Sequence, residues 1–124
     1  MCGKPISAAD SAAGAWVCLG RLADLPDRGL LPVRAAGLRL VLARDGERFV
    51  AAERACPHEG ADLALGICAG GRLHCPHHRA TFDLATGAVS PGWSFRPLRV
   101  APVRAEAGWL WIEAQALAAL GRTA

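Results

Sequence analysis

The sequence predicts an all-β domain, a small antiparallel sandwich or barrel, and three observations carry that prediction. Apolar residues gather in short runs of strand length. Glycine-containing breaks such as Ala36-Gly37 and Asp45-Gly46 separate the runs, and the Asp-Gly pair is a strong hairpin signal. Only AQALAALGR, near the C-terminus, has helix-forming composition, and it is short.

Taken in order, residues 1–15 are small and polar without a sustained period, and are expected to form a flexible tail. From Trp16, WVCLGRL reads as the first strand, closed by the turn-rich DLPDRG. LLPV, GLRLVLA and RFVAAE follow as three more. Between Glu53 and Arg72 the glycines and Pro57 break any regular period, so ACPHEGADLALGICAGG is expected to be one long loop. RLHC, ATFDL and AVS are short strand candidates, with CPHH and ATG between them. SPGWSFRP is too rich in Pro, Gly and Ser to pair regularly. LRVAPVRAEAGWLWIEA supplies two last strands around Glu106-Ala107-Gly108. The expected organisation is a tail over 1–15, one domain over 16–113, and a C-terminal tail or short helix over 114–124.

Composition narrows the class. At 124 residues, 52% apolar and 20% charged, the chain suits a single compact domain and excludes a disordered or collagen-like one. Fourteen Lys and Arg against eleven Asp and Glu give a formal charge of +3, too small and scattered for a nucleic-acid footprint. No apolar run is long enough to span a bilayer and no secretory signal is evident, so neither nucleic acid nor membrane is an expected partner and the expected location is cytoplasmic. Five cysteines, Cys2, Cys18, Cys56, Cys68 and Cys75, form an odd set in a reducing compartment, which argues against a disulfide framework.

Two of these cysteines sit beside three of the four histidines. Cys56-Pro57-His58 is followed, after an interval of sixteen residues, by Cys75-Pro76-His77-His78. Each segment offers a thiolate and an imidazole on a chain kinked by proline, and two such loops facing each other would make a four-ligand site. Three readings compete: two unrelated Cys-His pairs, a structural zinc bound by Cys₂His₂, and an iron–sulfur cluster with two Cys on one iron and two His on the other. The repetition weighs against chance. Zinc sites more commonly pair two cysteines on one knuckle and two histidines on another, which weighs against the second.

The pattern Cys-x-His, an intervening loop, then Cys-x-x-His resembles the Rieske family, and it is met here by Cys56, His58, Cys75 and His78. The resemblance extends through CPHEGADLALG, HRATFDLATG, SPGW and PLRV, and covers about Trp16 to Glu113. It implies a Rieske-type β-sandwich or barrel with a cluster-binding subdomain of two opposed loops and one [2Fe–2S] cluster per chain. Cys56 and Cys75 would bind the inner iron, His58 and His78 the solvent-facing outer iron, and Ser90 to Trp93 would be a covering loop. The implied function is one-electron transfer without catalysis, as in ferredoxins that shuttle electrons from a reductase to an oxygenase. A non-catalytic Rieske subunit of a larger redox enzyme and a zinc-bound structural module remain the alternatives.

Departures from the family sharpen this expectation. High-potential members carry two further cysteines that join the loops by a disulfide, and here Ala61 and His77 hold those places. They also place Ser and Tyr after the second loop, where hydroxyls donate to the cluster sulfurs; Ala80 and Phe82 stand there instead, and the chain contains no tyrosine. A low reduction potential is the consequence. His77 could copy the first-loop spacing, but His78 keeps the family register. Arg79 replaces the glycine usual after the ligand histidine, which would alter that turn, and Glu59 with Arg79 would give a mixed-sign rim. Cys2, Cys18 and Cys68 are expected bystanders, His74 a strand residue, and Trp16, Trp109 and Trp111 core or sheet-face residues, while Trp93 would shield the cluster or touch a partner.

Overall fold

The computed structural model describes residues 15–57, 60–76, 80–93 and 96–121. Among them lie strands β1 (Trp16–Arg21), β2 (Leu30–Ala35), β3 (Leu38–Asp45), β4 (Arg48–Glu53), β5 (Ile67–Ala69), β6 (Arg72–His74), β7 (Thr81–Asp83), β8 (Val100–Glu106) and β9 (Trp109–Glu113), then helix α1 (Ala114–Leu120). Six strands form an antiparallel sheet in the order β1-β9-β8-β4-β3-β2, and its outer strands β1 and β2 come back into contact, so it nearly closes into a barrel. Strands β5, β6 and β7 form a separate three-stranded antiparallel sheet. The all-β class read from the sequence is therefore correct.

Tight turns set the registers. Pairs Ala35↔Leu38, Ala69↔Arg72 and Glu106↔Trp109 leave the two-residue loops Ala36-Gly37, Gly70-Gly71 and Ala107-Gly108. All six loop residues have positive φ, as a mirror-image hairpin turn requires. Asp45 is not inside its turn. It pairs with Arg48, whose guanidinium meets its carboxylate at 3.3 Å, and the loop is Gly46-Glu47 with glycine first.

Two apolar cores explain why the middle strands read as continuous hydrophobic runs. Along β3, Leu40 and Leu42 pack inside the barrel with Ala51, Ala101, Val103, Leu110 and Ile112. Val41 and Ala43 point the other way, into a second core with Val50, Ala52, Leu63, Leu73, Phe82, Leu84 and Leu98. Side chains alternate across a strand, so a strand buried on both faces shows no polar alternation. Helix α1 has seven residues, too few to hold by propensity, and Leu117 and Leu120 bury its apolar face in the barrel core.

Two expectations change. The segment read as one long loop contains a 3-10 turn, Leu63–Leu65, and strand β5. AVS does not form a strand and contributes one bridge, Phe82↔Val89. Just before it, the Gly87 carbonyl accepts the Leu98 N–H at 2.9 Å, and the Gly87 Cα lies so close that a Cβ would collide with the Leu98 carbonyl oxygen. The segment still lies alongside β7, since the Asp83 N–H donates to the Ala88 carbonyl at 2.9 Å and the Ser90 N–H to the Thr81 carbonyl at 2.8 Å.

Candidate metal centre

The centre is built on two loops of the same closure. The first leaves the end of β4. Its base is an Ala55↔Asp62 bridge, and inside it the Cys56 N–H donates to the Ala61 carbonyl at 2.9 Å. Gly60, at φ 76°, turns the chain so that its N–H reaches the Cys56 carbonyl at 2.8 Å. The second loop joins β6 to β7 above the His74↔Thr81 pair, and there the Cys75 N–H donates to the Ala80 carbonyl at 3.1 Å. Both loops thus read Cys-Pro-His-x-x-Ala, CPHEGA and CPHHRA, closed by one bond from the first residue to the sixth. This repeat is visible in the sequence, and the two alanines are the signal that ligand spacing alone passes over.

The loops are brought together by burial. Cys56 is 2% and Cys75 5% exposed, and both pack in the second core with Ala61, Leu73 and Phe82. Gly66, at the exit of the first loop, lies where a Cβ would overlap the His74 carbonyl oxygen. Only glycine allows that approach, which sets the first loop against the entry to the second.

Polar clamps hold the loop bases. Arg54 Nε and Nη2 donate to the two Asp62 oxygens, each at 2.9 Å, and Asp62 also accepts the Ala64 N–H at 2.9 Å, capping the 3-10 turn. The hydrogen bond from Arg54 is the main reason the Asp62 carboxyl sits below the usual range, and Asp62 in turn raises the Arg54 guanidinium. The expected covering loop, Ser90 to Trp93, is tied at its start, and a second clamp lies further along the chain. Ser90 donates its N–H to the Thr81 carbonyl at 2.8 Å and accepts the Thr81 N–H on Oγ at 3.0 Å, beside the second loop. Arg96 grips Glu53 with two bonds of 2.6 and 2.7 Å, and Glu53 also accepts the Arg99 N–H at 2.7 Å, beside the first. Ser90 thus holds the start of the expected covering loop beside the second ligand loop.

The clamp has an acid dependence of defined sign. A carboxyl depressed in the folded state contributes stability that is present above its unfolded pKa, about 3.9, and is lost as pH falls through the lower folded value. Asp62→Asn is expected to cost about 1 kcal/mol at neutral pH, the modest scale of a partly exposed bidentate pair. Its stability curve should be flatter than wild type below about pH 4. Urea unfolding across pH 3 to 7 reads both, and identical curves for the two proteins would refute the clamp.

The cysteines divide as follows. Cys56, Cys68 and Cys75 are not disulfide-bonded. Cys68 is half-buried and donates to the Arg44 carbonyl at 3.2 Å, and burial pushes its thiol up. Cys18 lies half-buried on β1. His58, Glu59, His77, His78 and Arg79 lie outside the described residues, as does Cys2, and no group of three or more metal-ligating side chains occurs among the described ones. His74 is on β6, as expected. Trp111 is buried, while Trp16, Trp109 and Trp93 are half-buried. Two buried thiols heading equivalent loops suit a soft iron–sulfur group, so the part of the donor set that can be placed fits it.

The family model for the Rieske [2Fe–2S] domain matches residues 15–102. The chain belongs to that family, and the group it binds is a Rieske-type [2Fe–2S] cluster. It is similar to the ferredoxin component of the naphthalene 1,2-dioxygenase/salicylate 5-hydroxylase systems of Ralstonia sp., with 25% identity over 73% of this chain and 88% of the relative. It superposes on the Sphingomonas yanoikuyae B1 ferredoxin with TM-score 0.70 and 28% identity, covering 78% of this chain and 96% of that one. Oxidoreductase NdmD of Pseudomonas putida is 30% identical over 77% of this chain, but the match spans only 18% of that longer protein. Among the described residues no helix is long and apolar enough to cross a membrane.

Proposed function

We propose that this chain is a one-electron carrier, a Rieske-type ferredoxin that takes electrons from a reductase and passes them to an oxygenase in the cytoplasm, with no catalytic residue of its own. The domain over 16–113 carries the site, and α1 docks on it. Cys56 and Cys75 are assigned to one iron, His58 and His78 to the other. The observation that carries this reading is the pair of Cys-headed loops with identical closure and both thiols buried in one core. When bound, the cluster supplies a store for one electron. The protein's own part is to hold the thiolates away from water, to present the imidazole side outward, and to tie the start of the covering loop, at Ser90, beside the second ligand loop.

A second reading, a Rieske module inside a larger redox assembly, is favoured by the similarity to a short stretch of the much longer NdmD. A stable copurifying partner would support the subunit, and reduction and reoxidation by separate proteins would support the shuttle. Electron paramagnetic resonance of the dithionite-reduced protein, with iron and sulfide counted on the same sample, tests the common core of both. A Rieske-type signal with two irons and two sulfides is expected. A colourless protein with one zinc and no acid-labile sulfide would overturn it.

A further inference from the structure

A groove of about 370 Å³ runs beside the first ligand loop, and Gly60 of that loop forms part of its wall. Four arginines converge on it from separate parts of the chain: Arg39 on β3, Arg54 just after β4, and Arg96 and Arg99 ahead of β8. Two acids share the groove, Glu53 and Asp62, and each is held by one arginine in a two-bond pair. Arg39 acts on Asp62 only through the longer-range field, and neither Arg39 nor Arg99 makes a side-chain ion pair among the described residues. The groove therefore holds an excess of two positive charges, in a chain whose whole formal charge is +3.

The pairing pattern separates two roles. Arg54 and Arg96 are spent on intramolecular geometry. Arg39 is exposed and Arg99 half-buried, and their guanidinium groups have donors to offer to planar carboxylates. Their charge lies along an open trough rather than around a closed cavity, which suits a segment of chain with side-chain carboxylates.

We propose that this groove docks an acidic segment on the surface of a protein redox partner, with carboxylates meeting Arg39 and Arg99. The proposal rests on the electron-carrier reading for the nature of the partner, and the groove's position against the first ligand loop would bring that partner to this loop. Complementary charge of this kind governs encounter rate and orientation more than final affinity, and it weakens with salt.

The probe is a fluorescein-labelled hexaglutamate peptide, titrated with the protein as purified and followed by anisotropy. Binding is expected at low ionic strength and should weaken several-fold at about 0.15 M salt. Arg39→Gln/Arg99→Gln should weaken it at least about fivefold, Arg39→Lys/Arg99→Lys should retain most of it, and Arg28→Gln/Arg34→Gln, outside the groove, should change it less than about twofold. Equal loss in the Arg28/Arg34 variant would show diffuse attraction and overturn the proposal. So would absence of binding at low ionic strength, or displacement of the peptide by equimolar inorganic phosphate, which would mark a small-anion site. Iron content and the paramagnetic signal, measured on the same samples, report separately on the electron-carrier reading: loss of signal with peptide binding intact would sink that reading and leave the groove.

Discussion

Cys75→Ser is expected to abolish the reduced-state paramagnetic signal and to bring bound iron close to zero, and Cys56→Ser to do the same. Each thiol is almost fully buried in an apolar core, at the head of a loop whose closure sets its direction. A serine hydroxyl there is harder, stays protonated at neutral pH, and cannot replace a thiolate anchor for iron. Cys68→Ser is the control. Its sulfur is half-buried, donates to a backbone carbonyl that a hydroxyl can also reach, and belongs to a thiol that burial keeps protonated, so iron and signal should match wild type. His58→Ala and His78→Ala should also lose the signal, whereas His77→Ala should keep it. Two irons retained in Cys75→Ser would refute the ligand assignment.

The midpoint potential is expected near the low end of the Rieske range, which reaches about −150 mV. Ala80 and Phe82 are both fully buried beside the cysteines and neither carries a hydroxyl, so these positions give the cluster sulfurs no donor to stabilise the added electron. Phe82→Tyr tests the cause. A hydroxyl that finds a cluster sulfur should add about 1–2 kcal/mol to the reduced state, which for a one-electron couple is a rise of roughly 40–90 mV. If the hydroxyl finds no acceptor, the variant loses about 1–3 kcal/mol of stability at unchanged potential, the cost of an unmade hydrogen bond in a core. Protein-film voltammetry beside thermal unfolding distinguishes the two. A wild-type midpoint well above zero at pH 7, or a destabilised Phe82→Tyr with no shift, would overturn the argument.

Much of the site was legible because it is local. Cys56-Pro57-His58 and Cys75-Pro76-His77-His78 announce ligand chemistry within a few residues, and the turn residues Ala36-Gly37 and Ala107-Gly108 mark hairpins at the place they occur. The Asp45-Gly46 reading was off by one residue, since a glycine serves the first or the second position of a tight turn and only the strand register says which. AVS has strand composition, yet it lies beside β7 with a single bridge at Val89, while the adjacent Gly87 bonds Leu98, eleven positions away.

By itself, then, the sequence determined the all-β class, the order of most strands and the identity of the candidate ligands, because periodicity, turn chemistry and ligand spacing are written in neighbouring residues. Tertiary structure alone decided that β3 is buried on both faces, that Arg54 is spent on Asp62 and Arg96 on Glu53, and that Arg39 and Arg99 are left to face a groove. Arg96 and Glu53 are 43 residues apart in the chain. In sequence such charges look alike, and what separates a clamp from a docking group is which carboxylate the fold carries within hydrogen-bonding distance.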